Sequence, residues 1–133
     1  MIMNEPSKVY ELTWHVPGKV LLLRISGEYS VEDARHTNTQ LLAHLDASTD
    51  NLYILINAME MIRPYNFVAI RNTLTFMDHA KLKSIYVAAS DRLVKLSMMV
   101  IFNLSRAGLH ISDDLQQAET LVQQRLTQDD LLK

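Results

Sequence analysis

Residues 52–56, Leu-Tyr-Ile-Leu-Ile, form an apolar run with no polar side. A strand of this kind must be covered on both faces, which restricts the chain to layered α/β architectures with helices packed on a mainly parallel sheet. The run leads into Asn57, Met59, Glu60, Met61, Ile62, Arg63, Pro64, Tyr65 and Asn66, and then into a segment with helical spacing. In such folds the carboxyl end of a strand and the following helix amino terminus are where ligands and partners dock.

The rest of the chain is organised around that strand. Residues 9–16 and 20–27 have strand composition and flank Pro17-Gly18, a turn signal, so they are expected to pair as an antiparallel hairpin with Trp14 in or beside it. Ser30 followed by Glu32 and Asp33 reads as a helix cap with acids at the positive end of the dipole. Val31, Ala34, Leu41, Leu42 and Leu45 form that helix's stripe, with Asn38 as a polar interruption. A second helix is expected over residues 66–79 and a strand over 85–89. A third helix, capped by Ser90 or Asp91, should run to about residue 107 and stop at a left-handed Gly108. A short strand over 109–111 and a helix capped by Ser112 close the pattern, with Leu115, Ala118, Leu121, Val122 and Leu126 facing inward. The predicted fold is a single α/β domain over residues 8–126, β-β-α-β-α-β-α-β-α, with a mainly parallel sheet of about five strands and an antiparallel N-terminal hairpin. Residues 1–7 and 127–133 are expected to fray. Sequential strand order with uniform handedness would put most helices on one side.

Composition narrows the function. The 133 residues carry a formal net charge of -2 and no cysteine, so disulfides and thiolate chemistry are excluded. Basic residues are scattered, which argues against nucleic acid. No apolar run is long enough for membrane insertion and no leader is evident, so a cytoplasmic location is expected. His15, His36, His44, His79 and His110 show no metal-ligand spacing, and no metal or other cofactor is expected. Ser26, Ser30, Ser90 and Ser112 sit where turns and caps explain them. Three glycines leave little room for a phosphate loop or dinucleotide fingerprint, and an enzymatic role is not expected.

The element order resembles the STAS fold, and in particular the SpoIIAA-like anti-sigma-factor antagonists. The resemblance is carried by the Gly27-Glu28-Tyr29-Ser30 turn, the Leu55-Ile56-Asn57 strand end and the helix start over residues 111–118. It implies a non-enzymatic bacterial regulatory module that binds a protein partner, such as a regulatory kinase or sigma-pathway component. Phosphorylated antagonists of that family carry an aspartate at the strand end and serines opening the second helix. This chain has Asn57, then Ile62-Arg63-Pro64-Tyr65-Asn66, and no serine or threonine between Asn51 and Thr73, so no serine phosphoswitch is expected. The alternative reading is a binder of a small or lipid-like ligand, similar to SEC14-type proteins.

The expected partner-binding residues are Met59, Met61, Ile62, Arg63, Tyr65 and Asn66. The methionines and Ile62 either fold back as core or form an adaptable apolar patch. Arg63, Tyr65 and Asn66 either hold an anion at the helix start or are simply solvated and packed. The third helix is apolar around most of its circumference, including Val94, Leu96, Met98, Met99, Val100, Ile101, Phe102 and Leu104. Burial accounts for part of this, and a homodimer contact or an apolar-ligand groove would account for the rest.

Overall fold

The computed structural model describes residues 9–103 and 105–132. Two strands, β1 (Tyr10–Val16) and β2 (Val20–Glu28), form the expected hairpin through a turn in which Gly18 takes φ 76°. Then follow α1 (Val31–Ala47), β3 (Leu52–Ile62), α2 (Phe67–Thr73), a 3₁₀ turn (Thr75–Asp78), β4 (Leu82–Ala88), α3 (Arg92–Phe102), β5 (Gly108–Ser112) and α4 (Leu115–Leu131). The sheet order is β1-β2-β3-β4-β5, antiparallel only between β1 and β2.

β3 is the centre of this arrangement. Leu52, Ile54 and Ile56 face a core built with α1, α2 and α3, whereas Tyr53 and Leu55 face a second core capped by Ala118, Val122 and Leu126 of α4. Three helices on one face follow from three right-handed crossovers between parallel neighbours. α4 has no later strand to reach, so it is free to fold under the other face.

Several boundaries differ from expectation, each for a local reason. β3 does not end at Ile56 but continues to Ile62 beside the second half of β2. Arg24 to Ser26 on β2 is matched by Asn57 to Glu60 on β3, so β3 holds one extra residue there. Such a bulge breaks the period-two pattern and hides the strand from sequence reading. The Asn57 side chain accepts a hydrogen bond from the Met59 amide at 3.1 Å, satisfying a donor within the bulge.

The helix expected over 66–79 is broken at Leu74, whose ψ of 68° is not helical. Asn38 of α1 holds the break. Its amide donates to Thr75 Oγ1 at 2.9 Å and its carbonyl oxygen accepts the Phe76 N–H at 2.7 Å. This directs the Phe76 ring into the core against Phe102. The polar interruption in the α1 stripe is therefore a structural tie.

α3 stops at Phe102 rather than near 107; Leu104 lies outside the described residues. Ser105 turns the chain, donating to the Met77 carbonyl at 3.0 Å and accepting the Ala107 N–H at 3.1 Å. Gly108 is not left-handed but opens β5, where a Cβ would come within 3.1 Å of Ser84 Oγ on β4. Ser30 caps α1 through a capping box and Asp91 caps α3, as expected. α4 is capped by Asp114 rather than Ser112, because the Ser112 carbonyl is taken by the Ala89 N–H at 3.0 Å. Trp14 is exposed beside the hairpin, edge-on to His44.

Residues 127–131, expected to fray, are helix; residues 1–7 and 133, also expected to fray, lie outside the described residues. Asp129 keeps that last turn ordered. It accepts from the Tyr53 hydroxyl and pairs with Arg125, whose guanidinium lies 5.6 Å from the Tyr53 ring centre. The Tyr53 hydrogen bond, aided by Arg125, holds the Asp129 carboxyl below its ordinary range. Burial first, and then Asp129, push the Tyr53 hydroxyl up to about 12.

Two predictions follow from these ties. Asn38→Ala should lower unfolding free energy by about 1–3 kcal/mol, because it strands the Phe76 amide, and urea melts would show it. For Asp129 the folded pKa is depressed, so its stabilisation is complete above the unfolded value of about 3.9 and is lost as pH falls through the lower folded value. The stability gap between wild type and Asp129→Asn should therefore be constant near neutrality and shrink below about pH 4.

Candidate functional site

The six residues expected to form a binding surface are split by the extension of β3. Strand alternation and the bulge turn Met61 into the larger core, where it is 6% exposed, and lay Met59 half-buried against the α4 side. Met61 is therefore unavailable as a contact, and Met59 is available only in part. Ile62, at the end of the strand, is 52% exposed, and Tyr65 in the following loop is 76% exposed. Arg63 and Asn66 are exposed beside them.

The loop is local in its interactions. The Arg63 guanidinium stands 5.7 Å from the centre of the Tyr65 ring, a cation–π distance. Asn66 occupies the cap position of α2 with φ -104° and ψ 46°, and its side chain makes no capping hydrogen bond. α2 has only seven residues, too few for a strong terminal dipole. The loop therefore presents a tyrosine, an isoleucine and an arginine to solvent without converging donors on a single point.

Across from it lies the β2–α1 turn. Ile62 pairs in register with Glu28, and Glu28, Tyr29 and Ser30 form with Arg63, Pro64, Tyr65 and Asn66 a shallow groove of about 140 Å³. Tyr29 is buried beneath it, and burial pushes its hydroxyl pKa well up, so it is neutral at any ordinary pH. Arg24 and Glu60 sit 4.0 Å apart on the adjoining strands, a loose and exposed pair worth little. A raised aromatic and an aliphatic beside a notch, ringed by one arginine and one glutamate, is a surface suited to contact. Its serine, Ser30, donates its hydroxyl to Asp33 Oδ2 at 2.8 Å as part of the α1 capping box.

Two of the other concavities along α4 adjoin the sheet, and the sequence pattern did not single them out. One, about 600 Å³ and open, runs between α4 and β5 and is lined by Tyr86, His110, Leu121, Gln124, Arg125 and Leu131. There the His110 ring stacks on Tyr86 with centres 4.7 Å apart and planes 14° from parallel. The other, about 260 Å³, lies at the amino ends of β3 and β4 among Lys19, Lys83, Asp50 and Asp129. Interior space is scarce: the void among Leu23, Ile56, Ile70, Phe76, Met98 and Phe102 is about 10 Å³, roughly the room one water needs. Among the described residues no three histidine, aspartate or glutamate side chains gather as a metal site, and no helix is long and apolar enough to cross a membrane.

No family model matches the chain, and no curated protein matches it. A solved structure does. It is the 2.25 Å crystal structure of an uncharacterised protein of the DUF3478 family, with a SpoIIAA-like fold, from Shewanella loihica PV-4. The likeness has a TM-score of 0.63 over 91% of this chain and 98% of that one, at 15% identity. At that identity it establishes architecture and no more: with its strand order and helix placement, this chain has a SpoIIAA-like fold.

Proposed function

We propose that this domain is a non-enzymatic regulatory module that binds a protein partner through the rim formed by Ile62, Arg63, Tyr65 and Asn66 with the β2–α1 turn. The observation that supports it most is the exposure of Tyr65 and Ile62 at the carboxyl end of the central strand. Large side chains held outward there cost solvation and contribute nothing to the core. Tyrosine and arginine are also the residue types that most often anchor protein interfaces. A serine phosphoswitch has no acceptor in this region, since no serine or threonine occurs between Asn51 and Thr73. Control would come from the partner's availability or affinity.

A kinase or sigma-pathway component remains the partner class the fold suggests. For the ligand-binding alternative, the interior void of about 10 Å³ has no room for an acyl chain, which leaves a small ligand in the open groove of about 600 Å³ between α4 and β5.

The test separates contact from stability. Ile62→Lys, which places no like charge beside Glu28, and Tyr65→Ala should change the unfolding free energy by less than about 1 kcal/mol, and should abolish retention of a partner captured by the wild-type bait. Thr13→Asp on β1 should retain it. A partner bound equally by all four proteins would remove this rim from consideration. Met61→Glu would be uninformative for binding, since a charge at a 6% exposed core position unfolds the domain; even Met61→Ala should cost about 2–5 kcal/mol.

A further inference from the structure

The two edges of the sheet are unlike. β1 carries Glu11, and its pairing with β2 is interrupted by an irregularity between Trp14 and Val16, both devices that discourage a further strand. β5, Gly-Leu-His-Ile-Ser, has no charge and no proline, and its register against β4 runs without a shift from Ser84–Gly108 to Ala88–Ser112. Its outer side has no strand partner among the described residues.

The unpaired groups can be assigned. The Ser112 carbonyl accepts the Ala89 N–H, so Ser112, and by alternation His110 and Gly108, turn their backbone groups toward β4. Leu109 and Ile111 therefore direct their N–H and C=O groups outward. Their side chains pack on the three-helix core, while the His110 side chain lies on the α4 face against Tyr86.

We infer that this edge is an interface with a second copy of the same chain, β5 pairing antiparallel with β5 about a two-fold axis at His110. That register sets Leu109 of each copy opposite Ile111 of the other, with four outward hydrogen bonds satisfied, and His110 opposite His110 as the non-hydrogen-bonded pair. It joins two five-stranded sheets into one of ten.

Charge favours a second copy over an unrelated strand. The antiparallel register brings the Arg106 end of one β5 to the Asp113–Asp114 end of the other. Arg106 is exposed and forms no ion pair among the described residues. Apolar surface continues on the α4 face of the same edge. α4 exposes Leu121 and Leu131 beside His110, on the face of the sheet that carries Tyr86. The two-fold doubles each of these contributions.

The absence of cysteine gives a direct test. Sedimentation of the wild-type chain should give twice the chain mass at high micromolar concentration. A non-hydrogen-bonded antiparallel pair has Cα atoms about 4.5 Å apart, within disulfide range. His110→Cys should therefore cross-link under mild oxidation much faster than Thr13→Cys on the opposite edge, and Arg106→Glu should weaken the dimer about tenfold. A wild-type monomer throughout the concentration range overturns the proposal. So does a dimer in which His110→Cys reacts no faster than Thr13→Cys, since another surface would then be in use.

Discussion

Burial of β3 on both faces is the constraint on which everything else depends. Five consecutive apolar residues admit no solvent-facing side, so the chain must supply cover above and below. Crossover helices α1, α2 and α3 provide it on one face as a consequence of connecting parallel strands. The other face would be left open by that topology, and α4 closes it chiefly over β3, β4 and β5, with Val20 of β2 buried at the margin. The outer sides of β1 and β5, the α4-side face of β1 and part of β2, and the rim at the strand ends remain uncovered, so the candidate surfaces follow from the same requirement that fixes the core.

Polar groups then set details that burial leaves free. Asn38 reaches from α1 to the Thr75–Phe76 turn and determines where α2 ends. Tyr53 beneath the sheet and Asp129 at the far end of α4 join elements 76 residues apart in sequence, fixing the helix on the face that no crossover obliges it to cover. Asn57 satisfies the Met59 amide in the bulge. Each is a buried or half-buried backbone or side-chain group that would cost more unpaired than the bond gains, which is why single residues control element boundaries here.

The same distinction explains what was legible in the sequence. Element order, the hairpin, the Ser30 cap and the parallel sheet rest on apolar periodicity and cap chemistry, which act over a few neighbouring residues. The path from Asn57 to Ile62 does not. Its strand character comes from pairing with residues 24–28 across a bulge, and the bulge moves Met61 inward and leaves Ile62 out. Of the alternatives for the methionines, the core one holds for Met61 and in part for Met59, while Ile62, Arg63, Tyr65 and Asn66 are exposed. Asn38 looked like a blemish in a stripe because its partners lie 37 and 38 residues away. The α4–β5 groove was not visible because it depends on which sheet face the last helix takes.

The rim and the β5 edge are spatially and chemically independent. The rim offers side chains from the end of β3 and its loop, and can change partner by changing Tyr65 or Ile62 without disturbing the sheet. The edge offers backbone groups of β5, which any sequence of strand-forming residues would present, so its selectivity must come from the flanks: Arg106 before the strand, Asp113 and Asp114 after it, and His110 at its centre. Asp113 already holds Lys95 of α3, and Asp114 already caps α4 through the Gln117 amide at 2.8 Å. Their negative charge is thus anchored at one end of β5 by the fold itself, while Arg106 at the other end is left to solvent. An uncharged strand with opposite charges at its two ends is complementary to an antiparallel copy of itself and mismatched to a parallel one, and that polarity is a property of these few residues alone.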